Sequence, residues 1–158
     1  MLQNLKIENY ALIRKMDIPF NKGFIAITGE TGAGKSIMLG ALGLIIGQRA
    51  DSNVLWDKEK KCIVEAVFEL DDSFNAFFDA NDLDFSSQTT IRREITSNGK
   101  SRAFINDTPV QLNTMKELGE RLIDIHSQHN TLTLKNSSFQ FSIIDYYINN
   151  QALFTNYQ

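Results

Sequence analysis

The sequence predicts an α/β fold built around a phosphate-binding loop. Three observations carry this prediction: a glycine-rich motif at residues 29–36, a short apolar segment directly before it, and a helical pattern directly after it. Alternating apolar residues at 62–70 and an Asn-Gly pair at 98–99 indicate further strands along the chain. The expected fold is therefore a phosphate-loop core with an additional β-region beside it.

The length and composition are those of one soluble globular domain. The chain has 158 residues, of which 42% are hydrophobic and 22% charged, and its net charge is −3. This charge gives no global sign of a nucleic-acid or membrane partner. The single cysteine, Cys62, excludes an intrachain disulfide, and the sequence contains neither a signal-peptide pattern nor an apolar run long enough to span a membrane. We therefore expect a cytoplasmic protein without a membrane partner.

The N-terminal part is predicted to contain three strands and a helix. Residues 2–9 and 11–18 have the pattern of two short strands, and the apolar segment 23–28 that of a third, which leads into the glycine-rich motif. Residues 35–46 carry apolar side chains at helical spacing and are followed by a glycine, a common helix end. Residues 48–61 are polar and are expected to form a loop.

An amphipathic strand and a hairpin are predicted next. Residues 62–70 alternate between apolar and polar side chains, which is typical of a half-buried strand. The segments 90–96 and 100–106 also have strand character, and they flank Asn98-Gly99. An Asn-Gly pair between two such segments predicts a hairpin with a tight primed turn.

The C-terminal part is predicted to be mainly helical. Residues 112–121 have the pattern of a helix and residues 122–125 that of a short strand. A loop is expected over 126–134, and residues 136–150 again have helical spacing.

The glycine-rich segment matches the phosphate-loop pattern G-x-x-x-x-G-K-[ST] at every defined position. Glycines allow several backbone N–H groups to turn inward around phosphate oxygens, and the following helix presents its positive end to the same anion. Lys35 is expected to reach the β- and γ-phosphates, and the Ser36 hydroxyl to ligate Mg²⁺. The motif therefore predicts that a nucleoside triphosphate binds with Mg²⁺ to Gly29, Glu30, Thr31, Gly32, Ala33, Gly34, Lys35 and Ser36.

Five segments carry a family resemblance: residues 5–13, 29–36, 41–50, 92–106 and 122–129. Together and in this order they resemble the SMC-like branch of the ABC-type ATPases, and within it a bacterial family of DNA repair proteins. The resemblance extends from residue 1 to about residue 150. It implies that the chain is the N-terminal lobe of an ATPase head, with an antiparallel β-region beside the phosphate-loop core.

The resemblance also implies a domain organisation. Residues 1–135 would form the lobe, and residues 136–158 a helix that leads toward a long coiled coil. In the family the Walker B motif, the signature motif and the switch histidine follow that coil in a C-terminal lobe. This sequence contains no signature motif, and its nearest apolar runs that end in an acid lie in an amphipathic strand and a helical pattern. The chain by itself is therefore expected to be inactive in hydrolysis.

Roles for individual residues follow from the resemblance in the same way. Gln128 would be the Q-loop glutamine that touches Mg²⁺ or the attacking water, so Lys35 and Gln128 would be the catalytic residues of this lobe. Asn9 and Arg14 fall where family members contact the base or ribose, although a purely structural role for them stays open. The implied activity is ATP hydrolysis coupled to engagement of two heads and to DNA binding, in the repair of double-strand breaks and in recombination.

The implied partners are DNA, the C-terminal lobe of the same head, and a second copy of the protein. The resemblance places the protein in the cytoplasm, associated with the nucleoid when it acts on DNA. Arg49, Arg93, Lys100 and Arg102 could form a basic patch for DNA phosphates, whose binding would be nonspecific and sensitive to salt. A solvated hairpin face explains the same charges, and neighbouring strand residues point to opposite faces.

The sequence is also compatible with two other functions. A phosphate-loop kinase of a small molecule would use the same motif, but it would need a lid with arginines on a helix, whereas the arginines here lie mostly in the hairpin. A non-catalytic module could bind nucleotide only to hold a dimer or a partner.

Overall fold

The computed structural model of the protein describes residues 1–28, 33–50 and 52–125. These residues form six β-strands and three α-helices. In chain order the elements are β1 (Leu2–Tyr10), β2 (Ile13–Pro19), α1 (Ala33–Ile45), β3 (Cys62–Glu69), α2 (Asn75–Ala80), β4 (Gln88–Ile95), β5 (Ser101–Ile105), β6 (Thr108–Val110) and α3 (Leu112–Leu122). Among the helices of this described part, none combines the length and the hydropathy that a membrane crossing requires.

The strands form one antiparallel sheet in the order β2-β1-β3-β4-β5-β6. Every neighbouring pair in this order is antiparallel. Along β3, the side chains of Cys62, Val64, Ala66 and Phe68 are buried while the residues between them are not. This alternation is the one predicted for residues 62–70, and it arises because successive side chains in a strand point to opposite faces. The predicted antiparallel β-region is thereby confirmed.

The helices cover one face of this sheet. Helix α1 packs on β3 and β4, and α3 packs on β5. Ala41, Leu44 and Ile45 of α1 are buried, as are Met115 and Leu118 of α3. Burial of a large apolar side chain contributes about 1.5–3 kcal/mol, so these contacts hold both helices firmly against the sheet.

The two helices approach each other closely at Gly119 of α3. A Cβ atom at this position would lie 2.7 Å from the Cα atom of Ile46 and 3.1 Å from the carbonyl oxygen of Ile45. Both atoms belong to the backbone at the C-terminal end of α1, so they cannot move aside as a flexible side chain could. At Gly47, which has a φ of +81°, the chain leaves the helix, as the sequence predicts.

The segment predicted as the strand 23–28 does not form one. No regular structure is assigned to residues 24–28. The Phe24 side chain is 96% exposed, and those of Ile25 and Ile27 are 44% and 46% exposed. A strand exists only when it is hydrogen-bonded to a neighbour, and none of the six described strands pairs with this segment. Apolar composition by itself is therefore not enough to predict a strand over residues 23–28.

The short strand predicted over 122–125 is also wrong. Helix α3 includes Leu122, and Ile123 only caps it in an extended conformation, with its N–H donating to the Gly119 carbonyl. The described residues contain no strand that pairs with this stretch. The predicted loop 126–134 and helix 136–150 lie outside the described residues.

The predicted hairpin is present, but its turn is of a different type. The N–H of Thr96 donates to the Lys100 carbonyl at 2.9 Å, and the N–H of Gly99 donates to the Thr96 carbonyl at 2.9 Å. The loop thus has three residues, and of Asn98 and Gly99 only Gly99 has a positive φ, at +75°. A primed two-residue turn needs positive φ at both central residues, so the arrangement is the bulged three-residue loop instead.

A second hairpin, which the sequence pattern does not predict, joins β5 to β6. Asn106 and Asp107 both have positive φ, at 46° and 64°, and Ile105 pairs with Thr108. This is the geometry of a two-residue primed turn. Strand β6 has only three residues and contains Pro109, which explains why its pattern is hard to recognise.

We predict that Gly119→Ala destabilises the protein by about 1–3 kcal/mol, because the added methyl group overlaps the backbone of α1. Intrinsic helix propensity would favour alanine by about 1 kcal/mol, so the two effects have opposite signs. Urea denaturation followed by circular dichroism measures the difference.

Gly40→Ala is the matched control for this substitution. The nearest atom to a Cβ at position 40 is the Tyr10 hydroxyl oxygen at 2.6 Å, which lies at the end of a side chain and can shift. A loss of stability at Gly40 equal to that at Gly119 would contradict the proposed backbone clash.

Candidate nucleotide-binding site

The last part of the phosphate-loop motif forms the first turn of α1. The helix begins at Ala33, so Gly34, Lys35 and Ser36 lie in its first turn. All three are exposed. The predicted helix after the motif is thus confirmed, and it begins two residues before the expected start. Residues Gly29 to Gly32 lie outside the described part of the chain.

The electrostatics of this helix end favour an anion. Helix α1 has 13 residues, and its aligned peptide dipoles place about half a positive charge at its N-terminal end. No acidic side chain lies in the first turn to neutralise it. Lys35 adds a full positive charge there, and a Cβ on Gly34 would meet no atom of the described residues within 4 Å. A phosphate group at this helix end would therefore be attracted both by the helix dipole and by the Lys35 ammonium group.

The residues at this end of α1 also suit a magnesium ion that is held mainly by the nucleotide. Ser36 supplies a hydroxyl oxygen, which is the hard ligand type that Mg²⁺ prefers. Within the described residues, no group of three or more His, Cys, Asp or Glu side chains could form a metal site. A cation coordinated by one hydroxyl, phosphate oxygens and water is consistent with this donor set.

Asn9 uses its side chain to hold the loop that precedes β3. Its Nδ2 donates to the carbonyl oxygens of Asp57 and Lys60 at 3.0 Å and 2.9 Å, and its Oδ1 accepts from the Asp57 N–H at 2.7 Å. Asn9 is only 7% exposed and has a φ of 56°, a conformation that asparagine tolerates better than most residues. The amide is engaged within the protein, which supports the structural role left open by the sequence.

Arg14 and Trp56 form a stacked pair beside that loop. The guanidinium carbon of Arg14 lies 5.0 Å from the centre of the Trp56 ring, within the range of a cation–π contact. Both line a cavity of about 250 Å³ together with Asn9, Asp57 and Lys60. This pairing is not evident from the sequence, because a lone tryptophan in a polar loop gives no information about its partner. A contact of Arg14 with the base or ribose remains a prediction.

The four residues predicted to contact DNA do not share one surface. Arg49 is exposed just after α1, and Lys100 and Arg102 are exposed at the end of the β4–β5 hairpin. Arg93 is only 3% exposed, on the sheet face that the helices cover. The prediction that Arg93 belongs to a basic surface patch is corrected by this burial. Gln128 lies outside the described residues.

Comparison with known protein families and sequences gives consistent matches. The model of the AAA domain family matches residues 4–156. The DNA repair protein RecN of Vibrio cholerae is 42% identical over 93% of this chain and 27% of that protein. RecN of Bacillus subtilis is 33% identical over 92% of this chain and 26% of that protein. The chain thus spans about a quarter of the length of the curated relatives it matches, and the predicted resemblance to bacterial DNA repair proteins is confirmed.

Solved structures with the same fold include SMC heads. One, from work on ATP-driven dimerization and DNA-stimulated activation of SMC ATPases, has a TM-score of 0.63 and 21% identity, covering 90% of this chain and 95% of that chain. The SMC head domain from Thermotoga maritima has a TM-score of 0.55 and 22% identity, covering 74% and 41%. The recombination mediator protein RecF has a TM-score of 0.59 and 17% identity, covering 73% and 29%. At these identities the likeness shows the fold, which is the one that the sequence predicts.

We predict that Asn9→Ala lowers the free energy of unfolding by about 2–3 kcal/mol. The substitution removes three hydrogen bonds to the 57–60 loop and places alanine at a positive φ. Thermal and urea denaturation measure the loss. Asn9→Gly also removes these hydrogen bonds, but glycine adopts a positive φ without strain. Its decrease in the free energy of unfolding should therefore be smaller. If both variants were as stable as the parent, the loop-anchoring role of Asn9 would be excluded.

Proposed function

We propose a function on one premise: the chain belongs to the AAA domain family. Because its sequence is also similar to RecN over nearly its whole length, the chain is the ATP-binding N-terminal lobe of an SMC-like ATPase head. The complete protein acts in the repair of DNA double-strand breaks and in recombination. The observation that carries this proposal is the first turn of α1, which presents Lys35 and Ser36 at an exposed helix end within a complete phosphate-loop motif.

The described residues bind the nucleotide by charge and by geometry. The ammonium group of Lys35 pairs with the β- and γ-phosphates, and the N–H groups of the first turn of α1 add to the positive field. The Ser36 hydroxyl oxygen is the protein ligand for Mg²⁺, which when bound neutralises phosphate charge. We propose that the bound nucleotide is ATP and not another nucleoside triphosphate.

Other residues enter through the resemblance alone. The motif implies that the backbone of Gly29, Glu30, Thr31 and Gly32 would hold the phosphates, and the resemblance implies that Gln128 would ligate Mg²⁺ or orient the attacking water. These residues lie outside the described part of the chain, so their roles rest on the motif and on family membership.

The partners follow from the same proposal. The lobe associates with the C-terminal lobe of its own head, two such heads engage around ATP, and this engagement is coupled to DNA binding in the cytoplasm, at the nucleoid. A solved relative was studied for ATP-driven dimerization and DNA-stimulated activation, which supports the proposed coupling by analogy. Of the predicted DNA contacts, Arg49, Lys100 and Arg102 are exposed and remain candidates. The comparisons give no support to a small-molecule kinase or to a non-catalytic dimerisation module.

Nucleotide binding is tested by titration calorimetry of the chain with Mg·ATP. Lys35→Ala should weaken binding by about 10- to 100-fold, because a charge-assisted contact to phosphate contributes about 1.5–3 kcal/mol. Lys15→Ala is the matched control, since Lys15 is exposed on β2 and has only a long contact of 3.7 Å to Glu8. The proposal fails if the parent chain releases no heat with Mg·ATP, or if Lys35→Ala binds as tightly as the parent.

Hydrolysis provides a second prediction. We expect negligible ATP turnover by the 158-residue chain alone, since the signature motif that the family uses at the γ-phosphate is absent from this sequence. A phosphate-release assay measures this. A rate comparable with that of intact enzymes of this kind, abolished by Lys35→Ala, would contradict the expectation that hydrolysis also requires the C-terminal lobe.

A further inference from the structure

A second cavity lies where β5, β6 and the start of α3 meet. Its volume is about 500 Å³, and the residues that matter for its chemistry are Arg93, Ser101, Arg102, Phe104, Pro109 and Leu112. This size is typical of a pocket for a small ligand or for a few side chains. None of the residues that form it belongs to the phosphate-loop motif, so the cavity is independent of the nucleotide site.

Arg93 is a buried charge that lacks a counter-charge in the described structure. Its residue exposure is 3%, and its Nε atom is buried without a hydrogen-bond partner. Among the described residues the guanidinium group has one weak hydrogen bond, which Nη1 donates to the Met115 sulfur at 3.9 Å. Burial lowers the pKa of Arg93 from its usual value, because the charged form loses solvation there. A buried guanidinium in this state is expected to bind an anion.

The adjacent Arg92 has charged partners that Arg93 lacks, although the Nε atoms of both are buried without a hydrogen-bond partner in the described structure. Its Nη2 lies 3.0 Å from Asp107, it has further contacts to Glu65 at 3.9 Å and Glu94 at 3.7 Å, and its guanidinium lies 4.6 Å from the Phe104 ring centre. Arg92 and Arg93 point to opposite faces of the sheet, and no described carboxylate forms an ion pair with Arg93. Arg92 and Arg93 therefore differ in their charged partners because they lie on opposite faces of the sheet, although both are arginines.

The edge of β5 beside the cavity is uncovered in the described structure. Strand β6 pairs with β5 only from Ala103 to Ile105, because it ends at Val110 and the chain then enters α3. Backbone groups of alternate residues in a strand point to the same side, so the N–H and C=O of Ser101 face the side where β6 has already ended. An extended chain could continue the sheet at this point.

The first turn of α3 adds a positive field. Its N-cap residue, Gln111, makes no side-chain capping hydrogen bond, and Leu112 lines the cavity. The side chain of Arg102 also lines it. All the charges around the cavity thus have one sign, while Phe104, Pro109 and Leu112 give it apolar walls.

From these observations we propose that the cavity is a docking site for an extended peptide segment of a partner protein, which places an aspartate or glutamate side chain against Arg93. The carboxylate matches the planar guanidinium group, the peptide backbone pairs with the free edge at Ser101, and apolar side chains on either side of the acid contact Phe104 and Pro109. Duplex DNA is disfavoured as the occupant, because its phosphates lie on the outside of a wide rod and cannot reach a side chain that is 3% exposed.

The first test uses the capped tripeptide acetyl-leucyl-glutamyl-leucinamide with the full 158-residue chain labelled with ¹⁵N. Titration is followed at the Nε–H signal of Arg93, which reports directly on this group. We expect a saturable shift, with binding at least about tenfold weaker for the otherwise identical glutaminyl peptide. Equal affinities for the two peptides, or no shift with either, would overturn the proposal.

The second test separates binding from a structural role. Arg93→Met should reduce the affinity for the glutamyl peptide by about tenfold or more without lowering the melting temperature, because an apolar side chain replaces an unpaired buried charge. Arg121→Met, the same substitution at an arginine of α3 that does not line the cavity and whose Nη2 lies 2.6 Å from Glu117, should keep the affinity within about twofold of the parent. Unchanged affinity in Arg93→Met overturns the proposal, and the comparison of the two peptides on the parent chain decides the case if that variant does not fold. A shift of the Arg93 signal with a duplex oligonucleotide but not with the peptide would instead identify a DNA contact.

Discussion

The candidate nucleotide site depends on one constraint: the C-terminal half of α1 must be packed on the sheet while its N-terminal turn stays exposed. Its second half is buried, with Ala41, Leu44 and Ile45 packed on the sheet, while Lys35 and Ser36 in its first turn are exposed. The close approach of Gly119 to the C-terminal end of α1 fixes where the helix sits. The helix dipole and the ammonium group attract an anion only if they point toward it. The buried residues of α1 therefore fix the direction of these groups, although they do not contact the anion themselves.

The alternation of side chains in the strands assigns different tasks to adjacent residues. Arg92 lies in a network of carboxylates and against Phe104 on one face, whereas Arg93 points into the helix-covered face without a carboxylate among the described residues. Both are arginines in the same strand, yet one stabilises the hairpin and the other is left with an unmatched charge. The same sheet therefore carries both the helix that follows the phosphate loop and a buried arginine without an ion-pair partner among the described residues.

Local patterns explain what could be predicted. The phosphate-loop motif predicts the start of α1, and the alternation in 62–70 predicts β3, because each depends on residues close together in sequence. The stretches 23–28 and 122–125 resemble strands by composition, but a strand also needs a hydrogen-bonding neighbour that no local pattern specifies. The primed turn was predicted at Asn98-Gly99 and occurs instead at Asn106-Asp107, because the backbone conformation of the first loop is set by the register of its strands.

The sequence by itself determined the nucleotide-binding motif, the antiparallel hairpin and the resemblance to SMC-like ATPases, since these depend on which residues follow one another. Only the tertiary structure decided that the Asn9 side chain is engaged by a loop about 50 residues away, that Arg14 stacks on Trp56, and that Arg93 is buried beside an open cavity. The physical reason is that burial and partnership are properties of the packed sheet. They depend on which distant strands and helices meet, and a residue's neighbours in sequence do not specify this.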